Sequence, residues 1–199
     1  MTAYPREELE EMVRRWLEAN DRAEKERDWG KHLGPFYTED CEYTWNIGPN
    51  EEFVARGRKE VVDLALGYQM EGLDGWTYPY HTTLIDDRRG EVLGFWTQVA
   101  PHNRPDGSPY KVEGIGGSWF RYAGNYQWSW QRDFFDLGNV KALFFELAGA
   151  GLLSQTMRKK IHTQARGGLL PGHRQLRTGA SRLTQLRDGL AMVRIALIG

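Results

Sequence analysis

One segment of the sequence, WSWQRDFFDL at residues 128–137, combines aromatic side chains with a carboxylate. If it forms a strand, its side chains fall into two faces, because residues two apart point the same way. The two faces are Ser129, Gln131 and Asp133, and Trp128, Trp130 and Arg132. An acid among aromatic rings is disfavoured as a charge, which raises its pKa and suits it to proton transfer near neutral pH.

Asp133 is therefore the first candidate catalytic residue, provided that its face points into a cavity. The alternative is a structural acid at a strand end, paired with Arg121, with Arg132 or with backbone groups. The two interpretations predict different partners for the carboxylate, so the structure can separate them.

Two other side chains are candidates for the same chemistry. Tyr43 lies in the predicted strand CEYTWNI and could donate a hydrogen bond to a ligand oxygen, or could be a core ring with a satisfied hydroxyl. His81 lies in WTYPYHTTLI and is the only histidine within a predicted strand. It could act as a base if an acid lies nearby, or it could lie at the rim of the sheet.

Aromatic residues make up 13% of the chain, which is enough to fill a core or to line a pocket for an apolar ligand. Trp45 and Trp96 are predicted to serve as core or pocket wall. Asn20 is predicted either to close the polar end of a pocket or to face solvent near the end of the helix. The full set of predicted ligand contacts is Asn20, Trp45, Trp96, Gln98 and Gln131.

Helical periodicity predicts an amphipathic first helix over about 6–28 and further helices over 58–72 and 139–161, the last weakened by its glycines. The stretch 48–57 is expected to be a loop. Alternating patterns separated by turn signals predict four sequential strands, at 76–85, 91–100, 110–123 and 126–137.

This order of elements predicts an α+β domain in which a strongly curved, mostly antiparallel sheet wraps around the N-terminal helices to form a cone. Glycines inside the strands would help the sheet to bend. We assign residues 1–178 to this domain. Residues 179–199 are predicted to be a C-terminal tail, either helical or disordered.

The charges nearly cancel, with 26 basic and 27 acidic residues, so a nucleic-acid partner is not expected. The single cysteine, Cys41, rules out an internal disulfide, and no cysteine–histidine cluster suggests a metal site. No segment resembles a signal peptide or a membrane span, which predicts a cytoplasmic protein without a membrane partner.

Two motifs carry a resemblance to a known superfamily. RDWGKHLGPFYTEDCEYTW and WQRDFFDLGNV are similar to the helix, first strand and last strand of nuclear transport factor 2-like proteins, in their SnoaL-like branch. The second motif also resembles the WRDYFD run of limonene epoxide hydrolases. That resemblance implies a catalytic acid at Asp133 and a water-holding tyrosine at Tyr43.

The rest of the epoxide hydrolase pattern is absent. Trp96 and Gln98 stand where that family has an arginine and an aspartate, and Trp45 stands where it has an asparagine. The superfamily resemblance also implies a homodimer formed through the outer face of the sheet, with Trp128 and Trp130 exposed for that contact.

Two functions follow as hypotheses. The first is a SnoaL-like protein that binds a hydrophobic cyclic molecule in an aromatic cone and performs acid–base chemistry on it without a cofactor, as a lyase, isomerase or hydrolase. The second is a noncatalytic binding or dimerisation module whose cone is filled by its own rings. A connected cavity bordered by Tyr43, His81 and Asp133 would favour the first.

Overall fold

The structure is a computed structural model that describes residues 4–48, 51–176 and 182–198. Its α-helices are α1 (Arg6–Glu26), α2 (Trp29–Leu33), α3 (Gly57–Glu60), α4 (Leu137–Gly149), α5 (Gln155–Ala165) and α6 (Arg182–Ile198). Its strands are β1 (Tyr37–Asn46), β2 (Glu51–Arg56), β3 (Tyr80–Asp86), β4 (Glu91–Trp96), β5 (Val99–Asn103), β6 (Pro109–Lys111), β7 (Gly116–Tyr122), β8 (Trp128–Phe135) and β9 (His173–Gln175).

The first helix forms as its periodicity predicts, and one apolar stripe is buried along it. Trp16 is the centre of this stripe, with its ring edge-on to Tyr37, Phe120 and Trp128 of the sheet. The helix ends at Glu26 because Arg27 adopts a left-handed conformation, with φ 57°. Helix α1 thereby packs across the inner face of the sheet.

Among the described residues, seven strands form one sheet in the order β3-β4-β7-β8-β1-β2-β9. Strands β1 and β8 are parallel, and every other neighbouring pair is antiparallel. The sheet is curved around the N-terminal helices, which confirms the predicted α+β class and its cone. Strands β5 and β6 form a separate hairpin.

A β-bulge changes the predicted faces of β8. Tyr122 pairs with Trp128 and Arg121 pairs with Trp130, which leaves Ser129 as an extra residue. Trp128 therefore points inward and is 0% exposed, so its predicted place on the outer face is wrong. Beyond the bulge the alternation holds, and Trp130 lies on the outer face while Gln131 and Asp133 point inward.

Several predicted elements differ in the structure. Residues 51–56, expected to be a loop, form strand β2 paired with β1. The helix expected over 58–72 is instead α3 followed by a π-helical turn at Val61–Ala65 and a 3-10 turn at Tyr68–Met70. The helix expected over 139–161 is divided into α4 and α5, because Gly151 takes a positive φ of 76° and Ser154 caps the new helix.

The C-terminal part of the chain contributes one strand to the sheet and then a helix. Strand β9 pairs with β2, with His173 opposite Phe53. Most of the predicted tail is helix α6, while 179–181 and 199 lie outside the described residues. Leu186, Leu190 and Leu197 on this helix are exposed. None of the described helices has the length and apolar character needed to cross a lipid bilayer.

Candidate active site

A cavity of about 240 Å³ lies between the inner face of the sheet and the helices. Its wall is mainly aromatic and aliphatic, and the side chains of Trp16, Trp29, Trp45 and Trp96 all contribute to it. Trp45 is fixed by stacking on Phe53, with ring centroids 3.7 Å apart. The cone is therefore lined, but not filled, by its own rings.

Asp133 is the acid in this cavity, and three neighbouring strands hold it. Its partner across β7 is Ser118, whose Oγ donates to Asp133 Oδ1 at 2.7 Å. Gln131 Nε2 donates to the same oxygen at 2.8 Å. From β1, Tyr43 Oη donates to Asp133 Oδ2 at 2.5 Å. The tyrosine leaves room on Oδ2 for one further hydrogen bond from a ligand.

A second layer of hydrogen bonds fixes these donors. Tyr37 Oη donates to Gln131 Oε1, which orients the amide so that its nitrogen faces Asp133. Trp96 Nε1 donates to Ser118 Oγ at 2.9 Å, so the Ser118 hydroxyl proton is directed to the carboxylate. The carboxyl is thus preorganised by groups that themselves have little freedom.

Burial raises the pKa of Asp133 from 3.8 to about 6, and its hydrogen bonds from Gln131, Ser118 and Tyr43 oppose that rise. Burial, and then the charge of Asp133, raise the pKa of Tyr43 well above its usual value. At neutral pH, Asp133 is thus a carboxylate close to its protonation point beside a phenol that keeps its proton. A carboxyl with a pKa this close to neutrality has the titration range that suits a general acid or base.

The structure does not pair Asp133 with an arginine. Arg121 bonds Glu91 at 3.3 Å and lies over the ring of Trp130 on the outer face. Arg132 donates to Thr44 and Asn46, also away from the cavity. Asp133 is therefore a cavity acid whose partners are all neutral, and the interpretation of it as half of an ion pair is not supported.

The cavity brings together most of the residues predicted from the sequence. The predicted residues that line it are Asn20, Tyr43, Trp45, Trp96, Gln98, Gln131 and Asp133. Asn20 donates to the Trp16 carbonyl oxygen at 2.8 Å, which leaves its own oxygen available to the cavity. Gln98 Oε1 is buried and has no hydrogen-bond partner among the described residues.

His81 is not part of this cavity, which corrects its predicted position. Tyr80 pairs with Trp96 and Thr82 pairs with Phe95, so His81 is the extra residue of a second β-bulge. Its ring is exposed and bonds Thr97 Oγ1 at 2.6 Å. The neighbouring Tyr80 takes the inward position and lines the cavity.

Sequence reasoning missed several polar residues of the cavity. Ser118 follows from the register of β7 with β8, which places it opposite Asp133, but the register is visible only in the structure. His173 and Lys160 come from segments beyond the predicted sheet and also line the cavity. The described residues contain no cluster of three or more histidine, cysteine or acidic side chains arranged to hold a metal ion.

Comparison with known proteins gives fold relatives only. No protein-family model matches the sequence, and no curated protein matches it. PrhC from Penicillium brasilianum NBRC 6234 has 12% identity over 77% of this chain and 96% of its own, with a TM-score of 0.53. A protein described as a SnoaL-like polyketide cyclase from Jannaschia sp. CCS1 has 13% identity over 68% of this chain and 90% of its own, with a TM-score of 0.52.

A nuclear transport factor 2-like protein from Anabaena variabilis ATCC 29413 has 16% identity over 68% of this chain and 95% of its own, with a TM-score of 0.50. Each of these proteins matches along nearly its whole length, so the similarity extends over an entire domain. Identities this low establish a shared fold and no shared activity. The chain has the nuclear transport factor 2-like fold, which the SnoaL-like protein from Jannaschia also shows.

Proposed function

We propose that this protein binds a small hydrophobic ring compound in its aromatic cavity and moves a proton on it with Asp133, without a cofactor. The observation that carries the proposal is a cavity carboxyl with a pKa of about 6, held by three neutral donors and enclosed by aromatic rings. The absence of a cofactor and a cytoplasmic location stay predictions.

The volume of the cavity limits the ligand. At about 240 Å³ it exceeds the roughly 150 Å³ that accommodates benzene in an engineered cavity, and it falls below the roughly 300–1,000 Å³ typical of sites for drug-sized ligands. A compound of one or two rings fits this interval. Its flat face would pack on the indole of Trp45, which is held rigid by Phe53.

The carboxylate would act as the base. Oδ1 is occupied by Ser118 and Gln131, so Oδ2 is the oxygen that receives a proton from the ligand. Protonation is favoured by the same burial that raises the pKa of the carboxyl, and the proton can then return to another atom of the ligand. Such a sequence serves an isomerase or a lyase directly, and a hydrolase when the proton comes from water.

One form of the noncatalytic alternative is a dimerisation module whose cone is filled by its own rings. Trp45 and Trp96 contact the cavity from its walls, and the space between them supports ligand binding. A protein that binds a ring compound without converting it remains the second candidate. Proton exchange on a bound ligand separates the two.

We also propose a homodimer through the outer face of the sheet. Trp130 and Trp119 meet edge to face there at 5.3 Å, and Phe134 meets Phe95 at 6.0 Å. These rings are only partly covered within one chain. A second copy packed on this face would cover them and leave the cavity on the opposite side of the sheet unobstructed.

The test uses 2-tetralone, a two-ring ketone with exchangeable C–H groups next to its carbonyl. Binding is followed by quenching of tryptophan fluorescence, since several indoles line the cavity. Exchange of those C–H groups with D2O is followed by NMR. We expect the wild type to accelerate exchange and Asp133→Asn to lose on the order of a hundredfold of that acceleration.

Asp40→Asn is the matched control, because Asp40 is an exposed acid on β1 and should leave the exchange rate unchanged. If 2-tetralone binds and exchanges equally with wild type and Asp133→Asn, the protein is a binding module. If neither 2-tetralone nor a panel of other one- and two-ring compounds quenches the fluorescence, the proposed ligand class is wrong.

A further inference from the structure

A second polar cluster contacts the cavity at β9, away from Asp133. His173 lines the cavity, and its side chain is only 3% exposed. Its Nδ1 lies 2.6 Å from Glu51 Oε1 on β2, and its Nε2 lies 3.1 Å from Gln69 Nε2. A carboxylate thus holds one nitrogen of a buried imidazole, while the other nitrogen is on the side of Gln69, which also lines the cavity.

The sheet places this cluster at the same level as Asp133. Asp133 pairs with Trp45, Trp45 pairs with Phe53, and Phe53 pairs with His173, across the neighbouring strands β8, β1, β2 and β9. Paired residues share a face, so all four point to the inner side. Three strand spacings separate Asp133 from His173, on the order of 14 Å along the sheet. The stacked rings of Trp45 and Phe53 occupy the interval.

The hydrogen bonds define the tautomer of His173. Glu51 can only accept, so Nδ1 carries the proton. Gln69 Nε2 also donates to the Pro171 carbonyl oxygen at 3.2 Å, and its approach to His173 is therefore that of a donor. Burial lowers the pKa of His173 and Glu51 opposes this, so the neutral imidazole persists at neutral pH. Its Nε2 is a hydrogen-bond acceptor.

Lys160 places a positive charge beside the cavity near His173. Its Nζ donates to backbone carbonyl oxygens, among them Glu71 O at 2.9 Å, and it has no carboxylate partner among the described residues. A buried positive charge next to the cavity disfavours a cationic ligand group and favours an electronegative oxygen. The three N–H groups of Lys160 are taken by the carbonyl oxygens of Tyr68, Gln69 and Glu71, so Lys160 contributes charge and no further hydrogen bond. The acceptor on His173 suits a ligand hydroxyl, which can donate to Nε2.

We propose that His173, positioned by Glu51, is the recognition site for a hydroxyl group at the end of a flat two-ring ligand opposite to the end that meets Asp133. The ligand would lie over Trp45, with one oxygen function at each end. The inference rests on the proposed function of the cavity and deepens it, because it names the ligand as a ring compound with polar groups at both ends. On binding, the ligand hydroxyl would replace Gln69 as the hydrogen-bond donor to His173 Nε2.

A purely structural role for the cluster would be to fasten β9 to β2. The neighbouring pair on the other face of these strands already does this, since Arg174 Nε donates to Glu52 Oε1 at 2.6 Å. Arg174→Ala is therefore the matched control: it weakens the same strand pairing without touching the cavity. His173→Phe keeps the ring and removes the acceptor.

The experiment compares the affinities of naphthalene, 2-naphthol and 2,6-dihydroxynaphthalene for the full chain. We expect the diol to bind the wild type about tenfold more tightly than 2-naphthol, the size of one good hydrogen bond. His173→Phe should abolish this gain and leave 2-naphthol affinity unchanged, whereas Arg174→Ala should keep the gain. An equal gain in wild type and His173→Phe, or no gain in the wild type, overturns the proposal.

The 15N shifts of the His173 ring in the wild type give a measurement that does not depend on the folding of a variant. The diol should shift the Nε2 resonance, and naphthalene should not. An Nε2 resonance that the diol leaves unchanged overturns the inference even if 2-naphthol binds, in which case the proposed function still stands. Failure of all three compounds to bind rejects the proposed ring-binding function itself.

Discussion

The buried carboxyl of Asp133 makes the free energy of unfolding depend on pH. Asp133 has a pKa of about 6 in the folded protein against 3.8 for the free side chain. The folded state therefore binds more protons than the unfolded state between these values, so the free energy of unfolding falls as the pH rises from about 4 to 6 and then levels off. Above pH 7, where Asp133 is ionised in both states, its contribution to the free energy of unfolding is at its lowest.

Replacing Asp133 with asparagine removes the cost of burying an ionised carboxylate. The amide oxygen can accept from Ser118 and Gln131, and the amide nitrogen can donate to the oxygen of Tyr43, so the hydrogen bonds survive with one reversal. A pKa rise from 3.8 to about 6 corresponds to about 3 kcal/mol at 1.36 kcal/mol per pKa unit. Because one side of Asp133 faces a partly open cavity, this is an upper limit.

We therefore expect Asp133→Asn to be more stable than the wild type at pH 8, by up to about 3 kcal/mol or about 6–12 °C in Tm. The difference should be small at pH 4 and vanish at still lower pH, below both pKa values. The assay is urea unfolding followed by circular dichroism at both values, with Asp40→Asn as control for the loss of one charge. A variant that is less stable than the wild type at pH 8 would show that the carboxylate stabilises the fold, and the reasoning from burial would fail.

Three further predictions concern the hydrogen bond between Tyr43 and Asp133, the outer face of the sheet and helix α6. On an established substrate, kcat/KM should rise between pH 5 and 7 with an apparent pKa of about 6. Tyr43→Phe should move that pKa upward, because Tyr43 donates a hydrogen bond to the carboxylate. A pH profile that Tyr43→Phe leaves unchanged would contradict the assignment of this pKa to Asp133. Replacing Trp119 and Trp130 with serine should shift a dimer to monomer in light scattering, and a wild type that is monomeric at micromolar concentration would refute the dimer. Removal of residues 179–199 should preserve a cooperative melt, since Leu186, Leu190 and Leu197 of α6 are exposed. Loss of cooperativity would show that the helix is part of the core.

Periodicity and turn chemistry were sufficient to predict the class of the fold. The 3.6-residue stripe of α1 and the alternation of β4, β7 and β8 are local signals, and local signals depend little on the rest of the chain. Strand β2 was not predictable in the same way. Its sequence EEFVAR carries a weak pattern, and it is a strand because β1 and β9 supply hydrogen-bond partners on both sides.

The candidate site could be predicted as far as strand alternation holds. Asp133, Gln131 and Tyr43 reach the cavity on the predicted faces. Two single-residue bulges account for the errors: Ser129 turns Trp128 into the core, and the bulge in β3 turns His81 outward. A bulge shifts the side-chain phase by one residue, and neither extra residue, Ser129 or His81, is a glycine that would mark the position in the sequence.

The bulges also explain how one sheet can bury a charge. A regular strand β8 would place Trp128 on the outer face with Trp130, and the ring that now packs on Phe120 at 4.7 Å would be missing from the core below the cavity. The extra residue at Ser129 puts the indole of Trp128 inside without turning Asp133 away, so the same strand supplies both a core ring and the catalytic candidate. The apolar contacts of Trp128 with Trp16 and Tyr122 stabilise the fold by several kcal/mol, on the order of what burying the carboxylate costs. An unpaired residue in the backbone is thus what allows an energetically costly acid to lie in a stable strand.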